Sequence, residues 1–407
     1  MKKKQKEPNK IVLFLKSLAT DFRWSQVFAM LCLTILSLLF VYSATWKGGS
    51  TLPEEFKKQL MWFGFGWGLY FLISLMDYHW ICNKAWIIYL FVLGLLILVP
   101  IMGKTMYGAK RWLVLGKFTI QPSEFAKISL LLILCYLMGR FSKKFQSWRQ
   151  IFMAFVLTAI PAALIHKQPD LGTALVVIAL FFMILFIANV PMRFFVIVSL
   201  IGLLITGALG YETIRYIQYR RDVGADKINP KQAPFRSYLH LKPYQLNRLV
   251  GVVAPDELDR LNEGWNLHQS LIAIGSGRFQ GKGWTKGNVT RGGYLPRTVS
   301  LNDFIFAVYA EETGFIGGVV LVVLYLTILI GGIRIALMAH DSLGTLLASG
   351  ATFLIFFHVF VNIGMTLGIL PVVGVPLPMM SYGGSFVLVC MSSLGLIQSV
   401  WLNRKSY

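Results

Sequence analysis

The chain has 407 residues and a formal net charge of +21, yet only 14% of its residues are charged and 56% are hydrophobic. Soluble domains carry roughly 25% charged residues, so a water-solvated globule is excluded along with disordered, collagenous and disulfide-scaffold classes, and lipid is the expected solvent. The cationic excess then belongs in loops, where it fixes orientation or meets anionic partners such as headgroups, phosphates and pyrophosphates.

Residues 1–24, opening MKKKQKEPNK, read as a cytoplasmic tail. The charge-free run 25–46 is too long for the apolar stretch of a cleaved signal peptide and reads as a retained first span. Further apolar runs follow at 59–76, 85–103, 125–142, 150–166, 171–192, 194–211, 304–333, 342–369 and 385–402. They predict an all-α polytopic membrane protein: ten transmembrane helices in one domain over 25–407, with a large extracellular loop, 212–302, between helices 7 and 8. No Lys, Arg, Asp or Glu occurs from Ser342 to Asn403, so the last two spans are separated only by the Pro/Gly-rich PVVGVPLPMMSYGG, 371–384. Backbone that irregular is tolerated at membrane depth only against protein or a water-filled cavity.

Seven Lys and Arg precede the first span, and Arg140, Lys143, Lys144 and Arg149 lie between the fourth and fifth. Positive loops stay inside, which puts both termini in the cytoplasm. The same parity puts the 104–120 loop outside although it carries Lys104, Lys110, Arg111 and Lys117, and a basic loop on that side suggests a ligand. The 212–302 loop, also outside, holds 14 Lys/Arg against 7 Asp/Glu, but long loops translocate regardless of charge. Cys32, Cys82, Cys135 and Cys390 have no metal-like or redox-like spacing and read as small core or lipid-facing residues.

Three stretches concentrate polar chemistry. GAKRWLVLGKFTIQPSEFAK, 108–127, gathers Lys110, Arg111, Lys117, Gln121, Glu124 and Lys127 at the start of a span. Glu124 and Lys127, at i and i+3, suit a helix-end ion pair as well as a functional site, since ionisable groups in membrane helices are usually one or the other. Arg111 suits bidentate phosphate contact, or snorkelling to the headgroups. In KQPDLGTAL, 167–175, Asp170 is placed to cap the helix that follows. In HQSLIAIGSGRFQGKGW and its continuation, glycines recur from Gly275 to Gly293 with Arg278, Lys282, Lys286 and Arg291 between them. That composition fits a cationic bed for phosphate oxygens or a flexible surface loop, and the P-loop spacing is absent. Asp303 then precedes an apolar span.

At these residues the chain resembles the SEDS family, the shape, elongation, division and sporulation proteins, and most of all its elongation-type peptidoglycan glycosyltransferases. The resemblance runs from the first span to Gly384. It rests on GAKRW with QPSEFAK, KQPDLGTAL, LKPYQLNRL (241–249), HQSLIAIGSG with GKGW and DFIFAVYAEETGFIG, and NIGMTLGILPVVGVPLPMMSYGGS (362–385). It implies a ten-span enzyme that polymerises lipid II at the outer face of the plasma membrane. The implied partners are the nascent lipid-linked glycan, a class B penicillin-binding protein (transpeptidase) and other elongation-complex membrane proteins; no nucleic acid is expected. By the same resemblance Asp303 is the catalytic residue, and Arg111, Gln121, Glu124, Lys127, Asp170 and Ser381 match positions needed for activity or integrity; Lys117, Gln269 and Lys282 join them as candidate substrate-binding residues. One departure falls directly before Asp303: the family's segment is like LPEAHTDF, whereas LPRTVSLNDF here is two residues longer, with Arg297 and Asn302 and without the glutamate and histidine.

The bond to be made sets the remaining expectations. Sugar transfer from a lipid diphosphate needs a base for the attacking hydroxyl and positive charge for the departing diphosphate, but no general acid, unlike glycoside hydrolysis with its poor leaving group. No resident metal or cofactor is expected, and a divalent cation (Mg or Mn) at the diphosphate is left open. A lipid II flippase and a non-catalytic scaffold of the cell-wall complex are the alternatives from other classes.

Overall fold

The computed structural model describes residues 22–46, 51–106, 109–116, 118–139, 148–223, 235–239, 241, 245–247, 249–250, 254, 264–288 and 292–404. The chain runs through α1 (Trp24–Thr45), α2 (Glu54–Leu75), the short α3 (Tyr78–Asn83) and α4 (Ala85–Met102). Three strands follow, β1 (Lys104–Met106), β2 (Ala109–Leu115) and β3 (Phe118–Ile120), then α5 (Pro122–Gly139), α6 (Trp148–Lys167), α7 (Leu171–Ile187) and α8 (Met192–Val223). The last part holds α9 (Trp265–Gly277), α10 (Arg297–Leu301), α11 (Ile305–Leu337), α12 (Ser342–Thr366) and α13 (Gly384–Asn403).

Each of the ten predicted spans is met by one helix: α1, α2, α4 to α8 and α11 to α13. Eight of them are long and apolar enough to cross a membrane by length and composition alone. The other two are α2, whose first turns are charged, and α7, with 17 residues. Two boundaries differ from expectation, both where charge was taken as a stop. α2 begins at Glu54, directly after Pro53, with Glu54 and Glu55 in its first turn, where the helix dipole favours acids. α8 continues through 212–223 and ends on Arg220 and Arg221, cations suited to a helix C-terminus, so the first part of the expected loop is helix.

α13 and α5 form the centre of the bundle, buried over most of their length, whereas the apolar part of α8 is exposed and only its later turns, from Glu212 to Arg220, hold buried residues. The main core cluster joins α1, α2, α5, α7, α11, α12 and α13 through residues such as Leu33, Leu130, Val177, Ile305, Leu347 and Leu394, and two small clusters lie beside it, around Tyr216 and around Phe304.

The hairpin-like sheet after α4 was not expected. β2 is central and pairs antiparallel with β1 (Lys104 opposite Trp112) and β3 (Leu113 opposite Ile120), and Gly116 turns the chain at φ 61°. Strands this short, with cations and aromatics interleaved, carry too little alternation to stand out. The sheet has a visible job: Lys110 Nζ donates to the carbonyls of Pro100 (2.6 Å) and Ile101 (3.2 Å), covering the last turn of α4.

Candidate active site

The 371–384 segment sets the site. It has no helix and lies among α1, α2, α11 and α12, each of which lends a side chain to its backbone. Asn362 Nδ2 donates to Val375 O (2.7 Å), Tyr325 OH to Pro378 O (2.6 Å), Ser37 Oγ to Met380 O (3.0 Å) and Gln59 Nε2 to Ser381 O (3.2 Å). His358 Nδ1 lies 3.2 Å from Pro376 O. Within the segment only Leu377 O accepts from the segment's own backbone among the hydrogen bonds of the described residues, from Met380 N (3.1 Å) and Ser381 N (3.0 Å), and an unpaired carbonyl in a nonaqueous interior costs several kcal/mol. Polar residues scattered in four apolar helices answer that need.

Asp303 stands against this segment. Arg297–Leu301, the stretch with the two extra residues, forms the single-turn α10, and its end is fastened to the SYGG residues: Tyr382 N donates to Leu301 O (2.9 Å) and Ser381 Oγ to Asn302 O (2.5 Å). Ser381 is fully buried, and its Oγ also accepts from Leu377 N at 2.7 Å. Asn362 Nδ2, besides Val375, donates to the Asp303 carbonyl at 2.8 Å. Arg297 Nη2 reaches Thr45 O at the end of α1 (3.1 Å). The longer stretch is therefore folded and anchored at both ends. The partly buried Asp303 carboxylate faces Gly374, where a Cβ would come within 3.3 Å of Oδ2.

The other side of Gly374 meets α7. A Cβ on Gly172 would lie 2.7 Å from Val373 O and 3.1 Å from Gly374 O, so only glycine lets the helix start approach this closely. Asp170 caps α7 as expected, accepting from Thr173 N at 3.1 Å, but its Oδ2 also accepts from Gln121 Nε2 (3.1 Å), Ser123 Oγ (3.3 Å) and Thr173 Oγ1 (3.0 Å). Gln121 N donates to Ser385 Oγ at the start of α13 (3.0 Å). Arg111 joins the rim of this group: its Nε donates to Gln168 O at 2.9 Å and its Nη2 to Pro169 O. Two of its five donors thus cover the carbonyls that follow α6.

Below this rim Glu124 and Lys127 form the ion pair foreseen from their spacing, 2.7 Å apart and both nearly inaccessible. Lys127 Nζ also lies 3.1 Å from His358 Nε2 and 5.1 Å from the Phe386 ring. Since Pro376 O can only accept, the His358 proton is assigned to Nδ1, and Nε2 accepts from the ammonium. The pair is thereby tied to the re-entrant segment as well as to itself.

Lys282 lies elsewhere. It pairs with Glu311 at 2.6 Å, the acid fully buried, while Glu312 Oε2 accepts from Thr285 N (3.1 Å). The glycines of this stretch serve close packing. Gly314, at φ 68°, breaks α11 against the backbone of Phe279 to Gly281, and Lys282 N and Gly283 N donate to the carbonyls of Glu311 and Glu312 (3.1 and 2.9 Å). The 275–283 stretch is packed on α11 rather than a flexible loop. Gln269 is buried on α9, whose neighbour Ser270 bonds Thr366 O at 2.9 Å. Lys117 and Arg291 lie outside the described residues. No role was foreseen for Asn362, His358, Gln59 or Ser37; the signal available was polar residues set inside apolar spans.

These features define a polytopic membrane protein whose polar site is assembled round a re-entrant segment between its last two spans. The model of the FtsW, RodA and SpoVE cell cycle protein family matches residues 23–406, and the chain belongs to that family. Peptidoglycan glycosyltransferase RodA of Treponema pallidum is 34% identical over 432 residues, covering 94% of this chain and 98% of the relative. Peptidoglycan glycosyltransferase MrdB of Escherichia coli K12 is 33% identical over 378 residues and 92% of each chain. Among solved structures, a chain from a peptidoglycan synthase complex that coordinates polymerization and crosslinking superposes with a TM-score of 0.71 at 28% identity, covering 95% of this chain and 99% of that one. The Thermus thermophilus rod shape determining protein RodA gives 0.63 at 27% identity over 94% and 98%.

Proposed function

We propose that this chain is an elongation-type peptidoglycan glycosyltransferase that polymerises lipid II into glycan strands at the outer face of the plasma membrane, with Asp303 as general base. Relatives named for that activity match nearly the whole chain. The observation that carries the catalytic assignment is Asp303 itself: a partly buried carboxylate held through its own backbone and its neighbour's by Asn362 and Ser381, facing Gly374.

In this reading Asp303 takes the proton of the acceptor 4-hydroxyl as its oxygen bonds the anomeric carbon of the donor. The bond from that carbon to the diphosphate breaks with its electron pair going to the diphosphate, and single displacement inverts an α-linked donor into a β-linked strand. Arg111, Lys117 and Lys282 gather the anionic substrate and offset its charge. Gln121, Asp170 and Gln269 shape the sugar-facing surface, and Glu124, Lys127 and Ser381 hold the scaffold under it. Lys282 and Arg111 reach substrate only with the donors their pairings leave over. Among the described residues no group of three or more His, Cys, Asp and Glu is arranged to hold a metal. A divalent cation would therefore come with the diphosphate, and no step here depends on one.

Both termini are cytoplasmic and 25–407 acts as one domain in this account. A class B penicillin-binding protein is the partner that crosslinks the strands, beside nascent lipid-linked glycan and other elongation-complex proteins. The test is to give labelled lipid II to the purified chain co-expressed with that transpeptidase. Muramidase-sensitive polymer is expected. Lipid II that crosses liposome leaflets without polymer would instead support a flippase, and neither event would support a scaffold.

A further inference from the structure

The end of the bundle where α1 starts and α13 ends holds a second charged cluster that the transfer reaction does not use. Arg23 and Arg404 both stack on Trp401, with guanidinium carbons 4.1 and 3.4 Å from the ring. Two guanidinium groups that close to one ring cannot share a face, so the indole is held between them. Arg334 completes the group. Gln26 Nε2 donates to Ile328 O at 3.0 Å and lies over Gly331, so α1 and α11 cross at Gln26. One turn from that crossing, Arg23 and Arg334 come level with each other. Among the described residues neither is ion-paired, and Arg23 Nε is buried with no hydrogen-bond partner. Burial and the charge of Arg334 both lower the Arg23 pKa, the mark of a guanidinium that lacks a counter-charge.

We infer that Arg23, Arg334 and Arg404 around Trp401 form a binding site for the phosphate of an anionic phospholipid headgroup. Stacking fixes two planar forks with little entropy left to lose; Arg404 also donates from Nη1 to Trp401 O, and the Arg23 fork matches phosphate oxygens. The site sits at the mouths of α1, α11 and α13, where a headgroup lies and where basic pockets between membrane helices take anionic lipids. It lies at the opposite end of the bundle from Asp303, so its occupation is separable from the transfer reaction.

Full-length protein in phosphatidylcholine nanodiscs, with and without phosphatidylglycerol, gives the test by native mass spectrometry and thermal unfolding. The expected result is that the wild type retains phosphatidylglycerol and is stabilised by it. Arg23→Gln with Arg334→Gln should lose retention by roughly five-fold per arginine while melting as the wild type does in phosphatidylcholine alone. Equal retention by both proteins overturns the proposal, as does stabilisation of the wild type by inorganic phosphate in detergent to the same extent as by the lipid. Should the double variant fail to fold, Trp401→Leu, which removes the stacking but no charge, gives the same reading: unchanged retention contradicts a built site.

Discussion

Lys127 and Glu124 show what a single residue can cost this fold. Each is closed off from solvent, so the pair survives only because its members and His358 satisfy one another. Removing one partner leaves a bare charge in a low-dielectric interior. Lys127→Met is therefore expected to lower unfolding stability by about 3–5 kcal/mol, and Glu124→Gln added to it should restore most of the loss. Thermal unfolding of the wild type and the two variants in one detergent checks this; a double variant as unstable as the single one would contradict a purely paired role. Cys82 offers a second check. Buried in α3 beside Asp341 and Asp77, its thiol is pushed up to about 12, chiefly by burial. A raised thiol pKa means almost no thiolate at neutral or mildly alkaline pH. Maleimide at pH 8 should leave Cys82 unmodified in folded protein and modify it after denaturation.

Among elements, the 371–384 segment and the glycines that meet it carry the geometry. Gly374 adopts φ 74°, and a side chain there would enter the space beside Asp303. Gly374→Ala should reduce polymer formation by on the order of tenfold to a hundredfold, since a shift of an ångström at a reacting group costs that much. Polymer made at the wild-type rate would show that the carboxylate does not need this clearance. The spans themselves were legible because apolar length in lipid admits few other structures, and so was the Asp170 cap. The roles of Arg111 and of the 275–283 glycines were not. Capping a distant helix end and packing backbone on backbone leave no local pattern, because the partner lies far along the chain. The small sheet was missed for the opposite reason: its pattern is local but only a few residues long.

At the scale of the whole molecule the account needs one orientation. In the proposed orientation, the one expected from charge bias, the 22–24 and 404 end is inside and the Asp303 end outside. Single cysteines placed in the 1–24 tail and in the 212–302 loop test it with a membrane-impermeant maleimide on intact cells. The loop site should be labelled at once and the tail site only after permeabilisation. The reverse pattern would put Asp303 on the side where no strand is assembled.

The most direct measurement is lipid II polymerisation by the purified complex of chain and transpeptidase, wild type against Asp303→Asn. The substitution keeps size and hydrogen-bonding shape while removing the base. The account predicts a loss of roughly 10²–10⁴-fold in strand synthesis with unchanged melting temperature and unchanged partner binding. An Asp303→Asn complex that is folded, intact and polymerises at the wild-type rate would contradict it.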